Sequence, residues 1–124
     1  MIANLKLPYP VSTNTYWRNN NGRTHISEKG QAFKKTVQRN YQWTMKLIAD
    51  DVELAIKVHP KLTKKGVTDS RLIDLDNCTK CVLDSLINVV YFDDKQVKKI
   101  ILEYGEPIIN GGVTVGVNLF GKGN

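Results

Sequence analysis

Acidic residues gather beside a lysine in the middle of a basic chain. Two aspartates, Asp74 and Asp76, are followed by Lys80 one helical turn later and by Asp93 and Asp94 after the next apolar run, although the net charge is +6. Carboxylates repel phosphate unless a hard divalent cation lies between them, and Mg²⁺ is commonly bound by a few carboxylates together with substrate phosphate. The pattern therefore predicts a metal-dependent enzyme that acts on nucleic acid.

The spacing of the first two aspartates suits two ligands of one cation. If residues 73–76 are extended, alternation directs Asp74 and Asp76 to one side, with their Cα atoms roughly 6.5–7 Å apart. Asp76 also stands where the N-cap of a helix is expected, and the helix dipole would help to keep it ionised. Lys80 lies one turn further on, where its ammonium group could contact phosphate or stabilise a leaving oxyanion.

A purely structural interpretation of the same residues stays open. Asp76 would then be only an N-cap, Asp74 a surface acid, and Asp93 and Asp94 the start of a turn. Asp84, four residues after Lys80, is expected to be its ion-pair partner rather than a ligand. The expected helix over residues 77–90 is about 21 Å long. A hairpin that runs back along that helix, or contact with a second copy, must therefore bring Asp94 to the other acids.

Two cysteines form a C-x-x-C pattern, which is typical of dithiol redox enzymes when it lies near a helix N-terminus. Cys78 falls in the apolar stripe of the expected helix and Cys81 lies beside it, so helix packing explains both. A zinc site needs two further ligands, and His25 and His59 are not spaced to supply them. We therefore favour packing over redox or zinc chemistry.

Composition indicates one soluble domain with an anionic partner. The 124 residues suffice for a single core, and 18 Lys and Arg outnumber 12 Asp and Glu. Apolar runs are too short to span a membrane, and the first residues lack the pattern of a signal peptide. The two cysteines are accordingly expected to stay reduced, in a cytoplasm.

Periodicity predicts the elements that must position the acids. Strands are expected at residues 2–7, 52–58, 97–104 and 113–120, the last two as antiparallel strands joined by a turn at Asn110-Gly111. A helix is expected to follow Ser27, with apolar residues as far as Ile48 and with Trp43 in its packing, and a second helix over residues 77–90. The order β-α-β-α-β-β predicts an α+β fold, a single two-layer domain over residues 1–124 with a mixed sheet and helices on one face.

Two polar stretches are predicted to be loops that bind DNA. Residues 12–27 read as a mobile loop that carries Arg18, Arg23 and His25, in which Trp17 could stack on a base. Residues 61–71 form a second loop, which is rich in lysine. These loops would hold the phosphate backbone, which supplies affinity and register rather than sequence preference.

The chain resembles the RusA family of Holliday-junction resolvases, small dimeric endonucleases of bacteria and their prophages. The similarity covers nearly the whole chain and rests on motifs that occur in the family's order. They are Leu7-Pro8-Tyr9-Pro10 with Ser12 and Asn14, Gly22-Arg23-Thr24-His25-Ile26-Ser27, Asp74-Leu75-Asp76-Asn77 with Lys80, and Asp93-Asp94 with Gln96-Val97. The resemblance implies that Asp74, Asp76 and Asp94 are the essential acids that bind Mg²⁺ and that Lys80 is the lysine of the catalytic site. It also implies a homodimer that makes paired nicks in four-way DNA junctions, with no nucleotide cofactor.

The sequence departs from the family pattern at two places. A run of arginines precedes the first aspartate in the family, whereas Ser70-Arg71-Leu72-Ile73 stands here, so other basic residues must contact the phosphate. The segment before Asp93-Asp94 is about one residue shorter, which leaves the choice between these two aspartates open. The residues expected to contact DNA are Asn14, Arg18, Arg23, Lys64, Lys65 and Arg71. The alternative function is a non-catalytic DNA-binding module of the same fold, which would bind a junction without cutting it in Mg²⁺.

Overall fold

The computed structural model describes residues 2–67 and 72–121 and is built on one four-stranded mixed sheet. In chain order the strands are β1 (Ala3–Leu7), β2 (Trp17–Asn20), β3 (Arg23–Ile26), β4 (Val52–His59), β5 (Lys61–Leu62), β6 (Val97–Tyr104), β7 (Ile108–Ile109) and β8 (Gly112–Leu119). The main sheet has the order β1-β8-β4-β6, in which β8 is antiparallel to both neighbours and β6 is parallel to β4. Strands β2 and β3 form an antiparallel hairpin, and β5 pairs with β7 in parallel.

Helices cover one face of this sheet. They are α1 (Thr13–Tyr16), α2 (Glu28–Tyr41) and α3 (Thr79–Ser85), and two 3₁₀ turns lie at Leu75–Asn77 and Asp94–Gln96. Phe33 and Val37 of α2 and Val82 of α3 are buried in one core with the inward residues of the sheet, whereas Ala55 and Ile101 on the other face are exposed. The predicted α+β fold with a mixed sheet is confirmed, in the order β-α-β-α-β-β once the shortest elements are set aside.

The alternating patterns predicted two of the sheet strands well. Inward side chains of β1 and β4 are buried while most of those between them are exposed or half-buried, as the period of two requires. The buried positions are Leu5, Leu7, Val52, Leu54, Ile56 and Val58.

The last two long strands were predicted correctly in position and direction but not in their pairing. β6 and β8 run antiparallel, yet β4 lies between them, so they share no hydrogen bonds. The turn at Asn110-Gly111, where both residues have positive φ (66° and 64°), joins the short β7 to β8 instead. β6 pairs with one side of β4 and β8 with the other, so both strands join the same sheet without a hairpin between them.

The prediction of a mobile loop over residues 12–27 is wrong. The segment folds into α1 and the β2–β3 hairpin, whose turn is formed by Asn21 and Gly22 at φ 53° and 78°. Positive φ at both central residues is the geometry of a two-residue hairpin turn, for which Asn-Gly is the favoured pair. Because β2 and β3 are mostly polar, apolar alternation does not predict this hairpin.

Both long helices are shorter than predicted. α2 begins as expected with Ser27 as N-cap, whose hydroxyl accepts a hydrogen bond from the Gly30 amide, but it ends at Tyr41. Trp43 lies beyond it and is 89% exposed, so its predicted role in helix packing is wrong. The second helix ends at Ser85 rather than at residue 90, and the chain then turns through Asn88, which has φ 65°.

Within the described residues, no helix combines the length and the apolar character needed to cross a membrane.

Candidate active site

The first acidic turn, residues 74–77, leaves two carboxylates at the surface. Asp74 is extended (φ −67°, ψ 141°) and precedes the single 3₁₀ turn that contains Asp76. Both aspartates are exposed, while Ile73 and Leu75 pack against the core. The predicted alternation of exposure is therefore present, although the chain is not extended beyond Asp74 and Asp76 is not an N-cap. The Asp74 side chain does not cap the turn that it precedes.

The Lys80 side chain reaches toward the hairpin. Its Nζ lies 5.8 Å from the centre of the Trp17 ring, close enough for a cation–π interaction. Trp17 in turn contacts Tyr16 edge to face, with 5.2 Å between the ring centres. The contact places the lysine between α3 and β2, with its side chain half-buried.

The expected ion pair between Lys80 and Asp84 is wrong. Asp84 pairs with Lys34 of α2 at 3.5 Å and accepts a hydrogen bond from the Tyr16 hydroxyl. Burial, and then this contact with Asp84, raise the pKa of Tyr16. Asp84 therefore ties α3 to α2 and leaves the Lys80 ammonium outside the described ion pairs.

The second acidic turn, residues 93–96, distinguishes between its two aspartates. Asp93 is an N-cap whose carboxylate accepts a hydrogen bond from the Lys95 amide at 2.9 Å. The Gln96 side chain completes a capping box by accepting from the Asp93 amide at 3.0 Å. The amide of Lys95 lowers the pKa of Asp93, which is engaged by its own turn. Asp94 is half-buried within the 3₁₀ turn and near Tyr91, whose pKa is raised by burial first and by the charge of Asp94 next.

Within residues 2–67 and 72–121, no three His, Cys, Asp or Glu side chains lie close enough together to hold one metal ion. Asp74 and Asp76 share one turn, whereas Asp94 belongs to a different one. The combination of all three at one metal thus stays a prediction.

Basic side chains line two adjoining grooves next to the first acidic turn. One groove, of about 460 Å³, runs from Ile73 past Lys61 to Lys29. The other, of about 330 Å³, lies between the hairpin and the start of α2 and is lined by Arg18, His25 and again Lys29. Lys29, in the first turn of α2, is not among the residues that the sequence predicts to contact DNA. Lys29 therefore lies where the two grooves adjoin.

The predicted DNA contacts are exposed wherever the structure describes them. Asn14 lies on α1, Arg18 and Arg23 on the two strands of the hairpin, and Lys64 and Lys65 on the turn after β5. That turn is closed by a hydrogen bond of 2.7 Å from the Thr63 amide to the Val67 carbonyl. Arg71 lies outside the described residues. Exposure leaves the described side chains accessible to a phosphate backbone.

The cysteines are built into the core. Cys78 and Cys81 are both fully buried, and Cys81 accepts a hydrogen bond from the Val11 amide at 3.3 Å. Burial is the main cause that raises the pKa of Cys78 to about 11 and that of Cys81 to about 12. Reactive thiols instead have lowered pKa values and some exposure. His59 is also buried and engaged, with Nδ1 2.8 Å from the Glu106 carbonyl oxygen, so the packing interpretation is favoured for all three residues.

Comparisons with known proteins give one consistent result. A profile of the family described as Endodeoxyribonuclease RusA matches residues 8–118, which include both acidic turns and the hairpin. The crossover junction endodeoxyribonuclease rusA of Enterobacteria phage HK97 is 42% identical over 90 residues, which are 73% of this chain and 71% of that protein. The proteins of the same name from Enterobacteria phage 82 and Escherichia coli (strain K12) are 39% and 38% identical over 94 residues, which are 75% of this chain and 74% of each relative.

Proposed function

The chain belongs to the endodeoxyribonuclease RusA family, and on this basis we propose that it cuts four-way DNA junctions by hydrolysis of phosphodiester bonds. The observation that carries the proposal is the pair of exposed aspartates on the first acidic turn, inside the matched region and beside a basic groove. Acids that serve only to cap or pair, such as Asp93 and Asp84, have identified partners. Asp74 and Asp76 have no lysine or arginine ion-pair partner among the described residues.

The first acidic turn fits a hard divalent cation. It offers carboxylate oxygens from Asp74 and Asp76, which are the ligand type that Mg²⁺ prefers. Asp94 is proposed as the third ligand, because Asp93 already serves as the cap of its own turn. Bound there, Mg²⁺ would activate a coordinated water and offset the negative charge that develops on the phosphate.

Lys80 is proposed to stabilise charge on the reacting phosphate. It follows Asp76 by four residues, and its ammonium lies over the Trp17 ring rather than in an ion pair among the described residues. A lysine without a carboxylate partner keeps its charge available for an anion. In this role the Lys80 ammonium would hold a non-bridging oxygen of the phosphate. Asp74 and Asp76 would act on the side of the phosphate from which water attacks.

Affinity for DNA is proposed to come from the hairpin and the basic grooves. Arg18, Arg23, Lys64 and Lys65, together with Lys29, would contact phosphates along the strand that enters the site. Such contacts give affinity and register and make binding depend on salt. Asn14 and Arg71 are proposed to extend the same surface.

Paired cleavage requires two active sites, so we propose that the chain acts as a homodimer. Each copy is proposed to form one domain over residues 1–124. We propose the cytoplasm as its location. A second copy would also offer another route by which Asp94 can complete the ligand set, since the described part of a single chain does not gather three ligands. Sedimentation of the protein as a single chain in the presence of a junction would contradict the dimer.

A synthetic four-way junction tests the proposal directly. Wild-type protein is incubated with the labelled junction in Mg²⁺, in Ca²⁺ and in EDTA, and binding is measured in parallel by a gel-shift assay. The proposal expects symmetric nicks in Mg²⁺ only and binding in all three conditions. Binding without nicks in Mg²⁺ would instead identify a non-catalytic junction-binding module.

A further inference from the structure

Two tyrosine hydroxyls from distant parts of the chain hold the residue that precedes the first acidic turn. The Ile73 amide donates a hydrogen bond to the Tyr9 hydroxyl at 3.2 Å. The Tyr104 hydroxyl donates to the Ile73 carbonyl oxygen at 2.8 Å. Both backbone groups of Ile73 are thus fixed from outside its own segment, and Asp74 is the next residue.

The ring that carries the Tyr9 hydroxyl is confined by two neighbours. Its ring packs against Gly111, where a Cβ atom would come within 2.5 Å of the ring, and Gly111 has φ +64°. Lys61 lies over the same ring, with its Nζ 4.6 Å from the ring centre. A ring confined on two sides presents its hydroxyl in a defined position to Ile73.

Tyr104 is anchored by the main sheet. It is the last residue of β6 and lies opposite Val58 of β4, and the next amide, that of Gly105, donates to the Val58 carbonyl at 2.9 Å. A tyrosine hydroxyl keeps its proton throughout the neutral range, because its ordinary pKa is about 10. The Tyr104 hydroxyl is therefore available as the donor to Ile73.

The first acidic turn is held differently at its two ends. At its far end the Thr13 hydroxyl donates to the Asn77 carbonyl at 3.0 Å. At its start the Asn77 amide donates to the Asp74 carbonyl at 3.0 Å, but no side chain caps the N-terminus of the turn. A short 3₁₀ turn has few internal hydrogen bonds, so its entry direction depends on what precedes it. Ile73 is the residue from which the chain enters the turn, so the hydrogen bonds to its backbone act on that direction.

We propose that Tyr9 and Tyr104 are positioning residues that fix the backbone ahead of Asp74, so that the carboxylates of Asp74 and Asp76 converge on one divalent cation. This inference rests on the proposed function of these aspartates as metal ligands. Groups that orient metal ligands without touching the metal commonly change metal affinity or activity about 10–100-fold when removed.

Phenylalanine substitutions test the two hydroxyls while keeping the rings. Tyr9→Phe, Tyr104→Phe and the double variant are compared with Tyr41→Phe, a matched control. The Tyr41 hydroxyl also bonds a backbone, since it accepts from the Lys6 amide at 2.8 Å and donates to the Lys6 carbonyl at 3.1 Å. This contact joins α2 to β1 and does not involve the first acidic turn. Mg²⁺ affinity is measured by calorimetry without DNA, and unfolding by urea verifies that each variant is folded.

The expected result is a Mg²⁺ affinity about 10-fold weaker in each single variant and weaker still in the double variant, with Tyr41→Phe unchanged. Cleavage should need correspondingly more Mg²⁺, while junction binding in EDTA stays at the wild-type level. Exchange of the Ile73 amide proton, followed by NMR, should become faster in Tyr9→Phe and not in Tyr41→Phe.

Two results would overturn the inference. One is wild-type Mg²⁺ affinity in the double variant, and the other is an equal loss in the double variant and in Tyr41→Phe, which would indicate general destabilisation. If the wild type cuts junctions in either case, the proposed function stands and only the positioning role fails. If the variants bind Mg²⁺ more weakly but the wild type never cuts, the positioning role stands and the nuclease function fails.

Discussion

The two acidic turns have the same local design but use their aspartates differently. In each, an extended aspartate precedes one 3₁₀ turn: Asp74 before Leu75–Asn77 and Asp93 before Asp94–Gln96. The Asp93 carboxylate accepts a hydrogen bond from the Lys95 amide, whereas the Asp74 side chain caps nothing. The carboxylate at the same position of the motif therefore accepts a capping hydrogen bond in the second acidic turn and caps nothing in the first.

The source of rigidity differs in the same way. The second acidic turn is held by its own Gln96, whose Nε2 also donates to the Ile48 and Asp50 carbonyls at 2.7 and 2.9 Å. The first acidic turn is held from outside, by Tyr9 and Tyr104 at Ile73 and by the Thr13 hydroxyl at the Asn77 carbonyl. The difference teaches that a turn can keep its acids available for a ligand when other elements supply the hydrogen bonds that fix it.

The largest difference is expected when one aspartate of each turn loses its charge. Asp76→Asn should reduce junction cleavage more than roughly 100-fold, since loss of a ligand exceeds the usual effect of losing its support. Binding should be unchanged or tighter, because a negative charge near DNA is removed. Asp93→Asn is the matched control and should cut within about 3-fold of the wild type, because Asn caps a turn as well as Asp. Equal rates for the two variants would remove the distinction between the turns.

Loss of the second turn's own support is the next largest effect. Gln96→Ala removes an acceptor for the Phe92 and Asp93 amides and a donor to two carbonyls. The free energy of unfolding should fall by about 2 kcal/mol, which is below the sum of four ordinary bonds because several are exposed. Gln42→Ala, at the exposed C-cap of α2, should stay within about 0.5 kcal/mol of the wild type. Urea unfolding of both variants measures these changes. If Gln96→Ala leaves the free energy of unfolding unchanged, the turn is held by other contacts.

A smaller effect is expected from the hairpin next to the basic groove. Replacing Arg18 and Arg23 by Ala should lower the slope of log K against log salt by up to about 2, if each arginine contacts one phosphate. Arg39→Ala near the other end of α2 serves as the control and should leave the slope unchanged. A double variant with the wild-type slope would mean that both arginines are only solvated.

The smallest effect concerns acid stability. The amide of Lys95 holds the pKa of Asp93 below its usual range, so the charged form stabilises the fold. This contribution is fully present above the ordinary carboxyl pKa of about 4 and is lost as pH falls through the lowered value. Asp93→Asn should therefore lose less stability than the wild type between about pH 6 and pH 2.5, as followed by urea unfolding. Parallel pH curves for the two proteins would contradict the assignment.

Patterns of burial could be predicted from the sequence better than backbone conformation. The apolar stripe through Leu86, Val89 and Val90 is buried as expected, yet these residues lie beyond α3 in turns. Helical spacing marks which side chains face the core, and irregular turns can satisfy the same spacing. Asn88, which adopts a positive φ, is the one local indication that the helix stops.

Pairing between strands could not be predicted from periodicity. β6 and β8 are successive long strands, which favours a hairpin, but each pairs with β4 instead. The Asn21-Gly22 turn was missed for a different reason, because its flanking strands are mostly polar and exposed. The same dipeptide at Asn110-Gly111 predicts a hairpin because apolar strands surround it, yet those strands do not pair with each other.

The residues of the candidate site likewise differ in whether the local sequence predicts them. Asp74, Asp76 and Lys80 follow from residue type and spacing, and their exposure or partial exposure agrees with the prediction. The tyrosines could not be predicted, since Tyr9 and Tyr104 lie 64 and 31 residues from Ile73 and meet it only through the fold. Local sequence indicates which groups carry chemistry, whereas long-range packing decides how they are held.

Direct titration of Mg²⁺ tests most directly whether the first acidic turn binds the cation. Calorimetry without DNA is carried out on the wild type, on Asp74→Asn/Asp76→Asn and on Asp93→Asn, each verified as folded. Saturable binding is expected for the wild type and equally for Asp93→Asn, with at least roughly 100-fold weaker binding for Asp74→Asn/Asp76→Asn. The same Mg²⁺ affinity in all three proteins would contradict the assignment of Asp74 and Asp76 as metal ligands.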